Sequence, residues 1–220
     1  RNGGNSATEP YIAAHSQLIA HAAVVDLYRT KYQKQQEGVI GITLNSDWNE
    51  PLTDSPKDVA AAQRYQEFQL AWFADPVTKG DYPESMRERV KERLPRFTAE
   101  EQRLLMYSYD FLGLNHYTSR YISDNGSTVE PPIDWYHDSG CLVSIYDKNG
   151  KIIGEPSESP WLYVVPWGMR KLLNWIDQRY NKAPLYITEN GVDVPNENNM
   201  PIAQALNDEF RVKYLQDYLA

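Results

Sequence analysis

The chain has 220 residues, 24% of them charged, with a formal net charge of −8. That balance argues against nucleic acid or an anionic membrane as the main partner, and no run approaches the ~18 apolar residues of a membrane-spanning helix. A single cysteine, Cys141, leaves no internal disulfide or thiolate cluster. The four histidines (His15, His21, His116, His137) lack metal-site spacing, so a cofactor-free protein is expected.

The elements follow in chain order. Thr8-Glu9-Pro10 reads as a helix start, with a hydroxyl cap, an acid and a proline in the first turn. Helix-compatible sequence runs from Tyr11 to Tyr32, with Leu18, Ala22 and Val25 on one face. Gly38 ends it, and the β-branched run VIGITL (39–44) predicts a strand. Ser55-Pro56 opens a second helix carrying Ala61, Tyr65, Phe68 and Trp72 as one stripe, and DPVTKGDYP (75–83) reads as turn. Thr98 and Glu101 have capping-box spacing ahead of a short helix. DFLGLNHY (110–117) then predicts a second strand.

Residues 122–160 read as irregular, apart from a hairpin LVSIYDKNGKII turning at Asn149-Gly150. Met169, Leu172, Leu173, Ile176 and Tyr180 mark an amphipathic helix, and PLYIT (184–188) a third strand. A last helix runs from about Gln204 to the end, with Leu206, Phe210, Tyr214 and Tyr218 on one face. Strands alternating with helices imply a parallel sheet covered by helices, its strands buried on both faces.

In such α/β folds ligands bind at the carboxyl ends of the strands. Polar residues stand there three times: Asn45-Ser46-Asp47-Trp48, Asn115-His116-Tyr117 and Thr188-Glu189-Asn190. A carboxylate costs several kcal/mol if buried without a partner. Glu189 is therefore expected at the mouth of a site; the alternative is a strand-end carboxylate capping the next loop. The 16 Tyr and 6 Trp suit stacking on sugar faces, but such rings also fill ordinary cores.

The stretch ITENG (187–191) resembles the nucleophile motif of glycoside hydrolase family 1, the β-glucosidase family. GNSATEPYIAAH, SDWNEPLTDSPKDVAAAQR, DPVTKGDYP, DFLGLNHYTS and SPWLYVVPWGMRKLL resemble further family blocks in family order, closest in style to plant and algal members. The resemblance covers essentially the whole chain. It implies part of a TIM (β/α)8 barrel, roughly strands 5–7 with helices 4–7. Residues 1–220 would form a single incomplete catalytic domain, truncated at both ends.

It further implies hydrolysis of β-glycosides with retention, through a covalent glycosyl-enzyme on Glu189. Tyr117 matches the tyrosine that orients the nucleophile, and Asn115 an asparagine that organises the sugar subsite. Trp161 matches a position that stacks on the leaving-group side, against plain core packing as the alternative. His116 stands where a tyrosine is common and is expected to be structural. The implied partner is a small-molecule or oligosaccharide β-glycoside, with glucose the expected sugar and galactose, fucose and 6-phospho sugars as family alternatives.

Retention needs two carboxyl groups about 5–5.5 Å apart. The family's acid/base lies in an NEP motif expected upstream of Gly4, so none is assigned within this chain. Glu9 in ATEP and Glu50 in WNEP align with other blocks. The eighth strand and its sugar-binding residues are expected beyond the last residue. The competing reading is a non-catalytic sugar-binding or interaction protein on a degenerate or truncated barrel. Intact Glu189, Tyr117 and Asn115 speak against it. A truncated product without function of its own is a third reading, and transglycosylation would share the same intermediate. Asn125-Gly126-Ser127 has the form of a glycosylation sequon but reads more simply as a turn.

Overall fold

Three parallel strands, each followed by a polar segment and a return through helix, set the architecture. A computed structural model describes residues 3–126, 133–180 and 183–220. In chain order the elements are α1 (Glu9–Leu27), α2 (Gln33–Gln36), β1 (Gly41–Asn45), β2 (Trp48–Pro51), α3 (Pro56–Gln66), α4 (Trp72–Lys79), α5 (Glu84–Val90) and α6 (Ala99–Leu105). There follow β3 (Phe111–Asn115), β4 (Ser119–Asp124), β5 (Cys141–Ser144), β6 (Glu155–Pro156), β7 (Tyr163–Val164), α7 (Pro166–Arg179), β8 (Leu185–Glu189), α8 (Ile202–Ala205) and α9 (Glu209–Leu219). Widened π turns at Tyr28–Tyr32 and Glu67–Ala71 carry the helical path from α1 to α2 and from α3 to α4.

The main sheet has the order β1-β3-β8, parallel throughout. Its central strand contributes Leu112 and Leu114 to the core, where Leu70, Leu105, Leu172 and Ile176 close over them from the helices. Gly113 faces the other way. A Cβ there would strike Thr43 and Thr188, so the side chains of the flanking strands occupy that space. Past the ends of β1 and β3 the chain re-pairs as parallel β2 and β4, and β5 adds to β4 antiparallel.

Several caps lie where the sequence places them. Ser55 accepts from the Asp58 amide, and Thr98 and Glu101 form a reciprocal capping box. Thr8 occupies the first cap position without a side-chain bond; Asn5 instead accepts from the amides of Thr8 and Glu9 through its carbonyl oxygen. Other expectations are corrected. Asp75–Lys79 is helix rather than turn, because Ala74 and Val77 are fully buried and that burial overrides Pro76. The helix ends only at Gly80, with φ +84°.

The stretch 122–160 holds strands. Residues 141–144 pair with β4, and the chain does turn back at Gly150: Tyr146 bridges Ile152, Ile153 N–H donates to the Ile145 carbonyl at 2.8 Å and Asp147 N–H to the Lys151 carbonyl at 2.8 Å. The final helix is broken ahead of Asp208, and Leu206 lies exposed. Strand β8 is not buried on both faces: Tyr186 through Glu189 are exposed, and among the described residues no strand pairs with its outer side. Of the sequon-like triplet, Asn125 and Gly126 follow β4 outside any regular element, with φ +106° at the glycine, while Ser127 lies outside the described residues.

Two buried charge networks tie the layers together. Asp138, with no exposed surface, takes a two-pronged contact from Arg93 at 2.6 and 2.7 Å and a hydrogen bond from the Tyr11 hydroxyl at 2.6 Å. Arg179 grips Asp75 at 2.6 and 2.9 Å and reaches Glu67 at 3.0 Å, while Tyr180 donates to Asp75 at 2.8 Å. Removing one member of such a pair strands the other charge in a low-dielectric interior. Arg93→Ala is expected to cost about 3–5 kcal/mol in denaturant unfolding. Lys213→Ala, which breaks a solvent-exposed pair with Asp217, should leave the unfolding midpoint essentially unchanged. Equal losses would contradict this ranking.

Candidate active site

Register brings the three polar strand ends level. Asn45 pairs with Asn115, and Asn115 pairs with Glu189 across β1, β3 and β8. The second pairing depends on an irregularity between Leu114 and Asn115: Leu114 still faces Ile187, and Thr188 is the extra residue. Because side chains alternate along a strand, a one-residue offset decides which face Glu189 presents. Beyond the offset the rim is cross-linked. His116 N–H donates to the Glu189 carbonyl at 3.0 Å, and Ser46 N–H to the Asn115 carbonyl at 3.0 Å.

On this rim the Tyr117 hydroxyl donates a short hydrogen bond to Oε2 of Glu189. The bond to the carboxylate, together with burial and the carboxylate's charge, pushes the phenol up to about 12. Tyr117 therefore stays protonated, and a donor, across the working range of any neutral enzyme. The phenol is held from behind: its backbone carbonyl accepts from Tyr218 at 3.1 Å and from Tyr214 at 3.4 Å. Asn190 secures the segment after Glu189, donating to the His116 carbonyl at 2.9 Å and to Tyr214 at 2.8 Å.

Asn115 lies on the same rim, its Oδ1 accepting from Thr188 at 2.7 Å. Trp161 is half exposed and presents an edge-on contact to Tyr117, with ring centroids 6.0 Å apart and planes at 83°. His116 is fully buried, and Nδ1 lies 2.9 Å from the Ser46 carbonyl, which requires a proton on that nitrogen. Burial lowers its pKa despite that contact, keeping the ring neutral. It holds the rim together from below.

Neither sequence decoy joins the group. Glu50 is engaged by Lys171 at 2.6 Å and by the Trp48 indole at 2.6 Å. Glu9 stands in the first turn of α1. Among the described residues no cluster of three or more His, Cys, Asp or Glu could hold a metal ion, and no helix is long and apolar enough to cross a membrane. Sequence reasoning missed Thr118 and Arg120, which fasten the Trp161 segment, and saw Tyr214 and Tyr218 only as a helix face. No local pattern sets these residues apart, because their partners are 24 to 101 positions away.

Asp47, at the end of β1, is half-buried, and burial raises its pKa to about 6 against the opposing charge of Arg120. The folded state thus keeps this proton up to about pH 6, whereas the unfolded chain releases it near the ordinary 3.8. The folded state binds the extra proton, so stability falls as pH rises through that window. Asp47→Asn is expected to remove this dependence. Between pH 4 and pH 7 the wild type should lose up to about 3 kcal/mol that the variant retains. Urea unfolding at the two pH values measures it, and parallel losses would contradict the assignment.

Comparison with known proteins completes the picture. Residues 2–220 match the family described as Glycosyl hydrolase family 1. The chain is 50% identical over 218 residues to β-glucosidase 6 of Oryza sativa subsp. japonica, covering 98% of this chain and 42% of that protein. It is 47% identical to the oleuropein β-glucosidase of Olea europaea, covering 98% of this chain and 39% of that protein. A rice β-glucosidase mutant solved in a covalent complex with Glc superposes with a TM-score of 0.95 at 48% identity, over 99% of this chain and 46% of that one. A β-glucosidase from the fungus Humicola insolens, in complex with glucose, gives 0.94 at 45% identity, over 99% and 45%. The chain spans about two fifths of the length of these curated relatives. A match across essentially all of its residues, at this identity and with this superposition, makes the chain a member of glycosyl hydrolase family 1.

Proposed function

We propose that these residues carry the nucleophile half of a retaining β-glucosidase site. In this reading β1, β3 and β8 are the fifth to seventh strands of a (β/α)8 barrel, and residues 1–220 belong to one catalytic domain. The observation that carries it is the hydrogen bond from Tyr117 to Glu189 on a rim where the strand ends are level. The covalent Glc complex of a rice relative supports the same chemistry.

The steps follow from the geometry. Tyr117 holds Oε2 of Glu189, so Oε1 is the oxygen left to attack the anomeric carbon of a β-glycoside. As the new C–O bond forms, the bond to the aglycone oxygen breaks, and that oxygen needs a proton from a general acid. Water then attacks the glycosyl ester, gives up a proton, and releases the sugar with the Glu189 carboxylate restored. Two displacements at one carbon return the original configuration. The general acid is not assigned to Glu9 or Glu50: Glu50 is committed to Lys171 and Trp48, and Glu9 to the start of α1. Asn115 is assigned to the sugar hydroxyls and Trp161 to the aglycone, consistent with their places on the rim.

Removal of the carboxylate separates a nucleophile from an acid. In the protein expressed from its complete reading frame, Glu189→Gly should lower kcat by more than about a thousandfold, on the order of 4 kcal/mol of transition-state stabilisation. Azide filling the vacated space should restore turnover of an activated aryl β-glucoside and give the α-glycosyl azide. A β-configured azide would make Glu189 the acid instead. A folded variant with full activity would remove Glu189 from the chemistry, and a folded wild type without activity would favour the non-catalytic reading. Tyr117→Phe, which keeps the ring and loses the donor, should reduce kcat on the order of 10²-fold through misplacement of the attacking oxygen. An unchanged kcat would remove Tyr117 from the account.

A further inference from the structure

Trp161 is half exposed at the site, but the segment carrying it is fixed with unusual completeness. The Thr118 hydroxyl, fully buried, donates to the Tyr163 carbonyl at 2.9 Å and accepts from the Tyr163 amide at 3.2 Å. Its remaining acceptor position takes Nη1 of Arg120 at 3.3 Å, so one hydroxyl is satisfied in all three of its bonds. Arg120 also donates from Nη1 to the Ser119 carbonyl at 2.9 Å, and from Nη2 to the carbonyl of Trp161 itself. Its guanidinium lies 5.7 Å from the centre of the Tyr163 ring. On the opposite flank Ser159 donates to Asp193, in the segment after β8.

We infer that Arg120 is a positioning residue that fixes Trp161 on the leaving-group side and thereby sets aglycone preference; the inference rests on the proposed glycosidase reading. The rigid fork of a guanidinium spans two carbonyls and a hydroxyl that belong to different segments, which a single ammonium cannot do. Arg120 sits at the start of β4, three residues after Tyr117, so the same strand entry that aims the phenol at Glu189 also carries the clamp on Trp161. The edge-on contact between Tyr117 and Trp161 is the point where the two halves meet. Arg120 touches the wall rather than the reacting atoms, so its loss should fall on substrates that use the wall.

The test compares two glycosides of one sugar in the protein expressed from its complete reading frame. One is a 4-nitrophenyl β-glucoside and the other a β-glucosyl fluoride, which has no aglycone ring to stack. Arg120→Gln is expected to lower kcat/KM for the aryl glycoside about tenfold, mainly through KM, and that for the fluoride by no more than about twofold. Arg120→Lys should recover only part of the aryl loss. The double variant Arg120→Gln/Trp161→Ala should lose no more on the aryl glycoside than Trp161→Ala alone, because the two residues act as one unit. Equal losses on both substrates, or additive losses in the double variant, overturn the inference while leaving the glycosidase reading intact. A folded wild type that hydrolyses neither substrate overturns both.

Discussion

The pairing of Asn115 with Glu189, in place of Thr188, is the constraint on which the site depends. Parallel strands hold their neighbours in a fixed register, and a regular ladder would carry Thr188 to the position opposite Asn115. The single extra residue turns the end of β8 by one side chain. Glu189 then lies within reach of a phenol delivered from the end of β3. Everything else at the rim supports that arrangement: the His116 amide on the Glu189 carbonyl, Asn190 on the His116 carbonyl, and two tyrosines of α9 on the Tyr117 carbonyl.

Rigidity below the rim has a different origin. A parallel sheet of three strands holds its shape here because helices bury one face and charge networks join those helices across long sequence distances. Arg179 connects α7 to Asp75 in α4 and to Glu67 in the turn before it. Arg93 and Tyr11 converge on Asp138 from elements 45 and 127 residues away. Specific geometry of this sort restricts the relative placement of elements more tightly than apolar contact alone, at the cost of desolvating ions. A site needing sub-ångström placement of an oxygen gains from that restriction.

Much of this was legible in the sequence. Strand ends announced themselves because apolar runs broke into Asn, Tyr and Glu, and the ITENG and DFLGLNHYTS blocks gave the polar residues an order. The caps at Ser55 and Thr98 were readable because their chemistry is local. What escaped was set by tertiary contact. Asp75–Lys79 stays helical through a proline only because Ala74 and Val77 are buried. The irregularity in β8 leaves no trace in PLYITENG, since Thr188 is as suited to a ladder as its neighbours. Arg120 reads as an ordinary strand-surface cation until Trp161, 41 residues on, is folded against it.

Covalent trapping tests the central claim most directly. The protein expressed from its complete reading frame is treated with a 2-deoxy-2-fluoro-β-glucoside bearing an activated leaving group, which forms the glycosyl-enzyme readily and slows its hydrolysis. Peptide mass spectrometry then locates the added mass. A single label on the peptide containing Tyr186 to Asn190, carried by Glu189, is the result this account predicts. A label on another carboxylate, or none in a folded protein that turns over the parent glucoside, would contradict it.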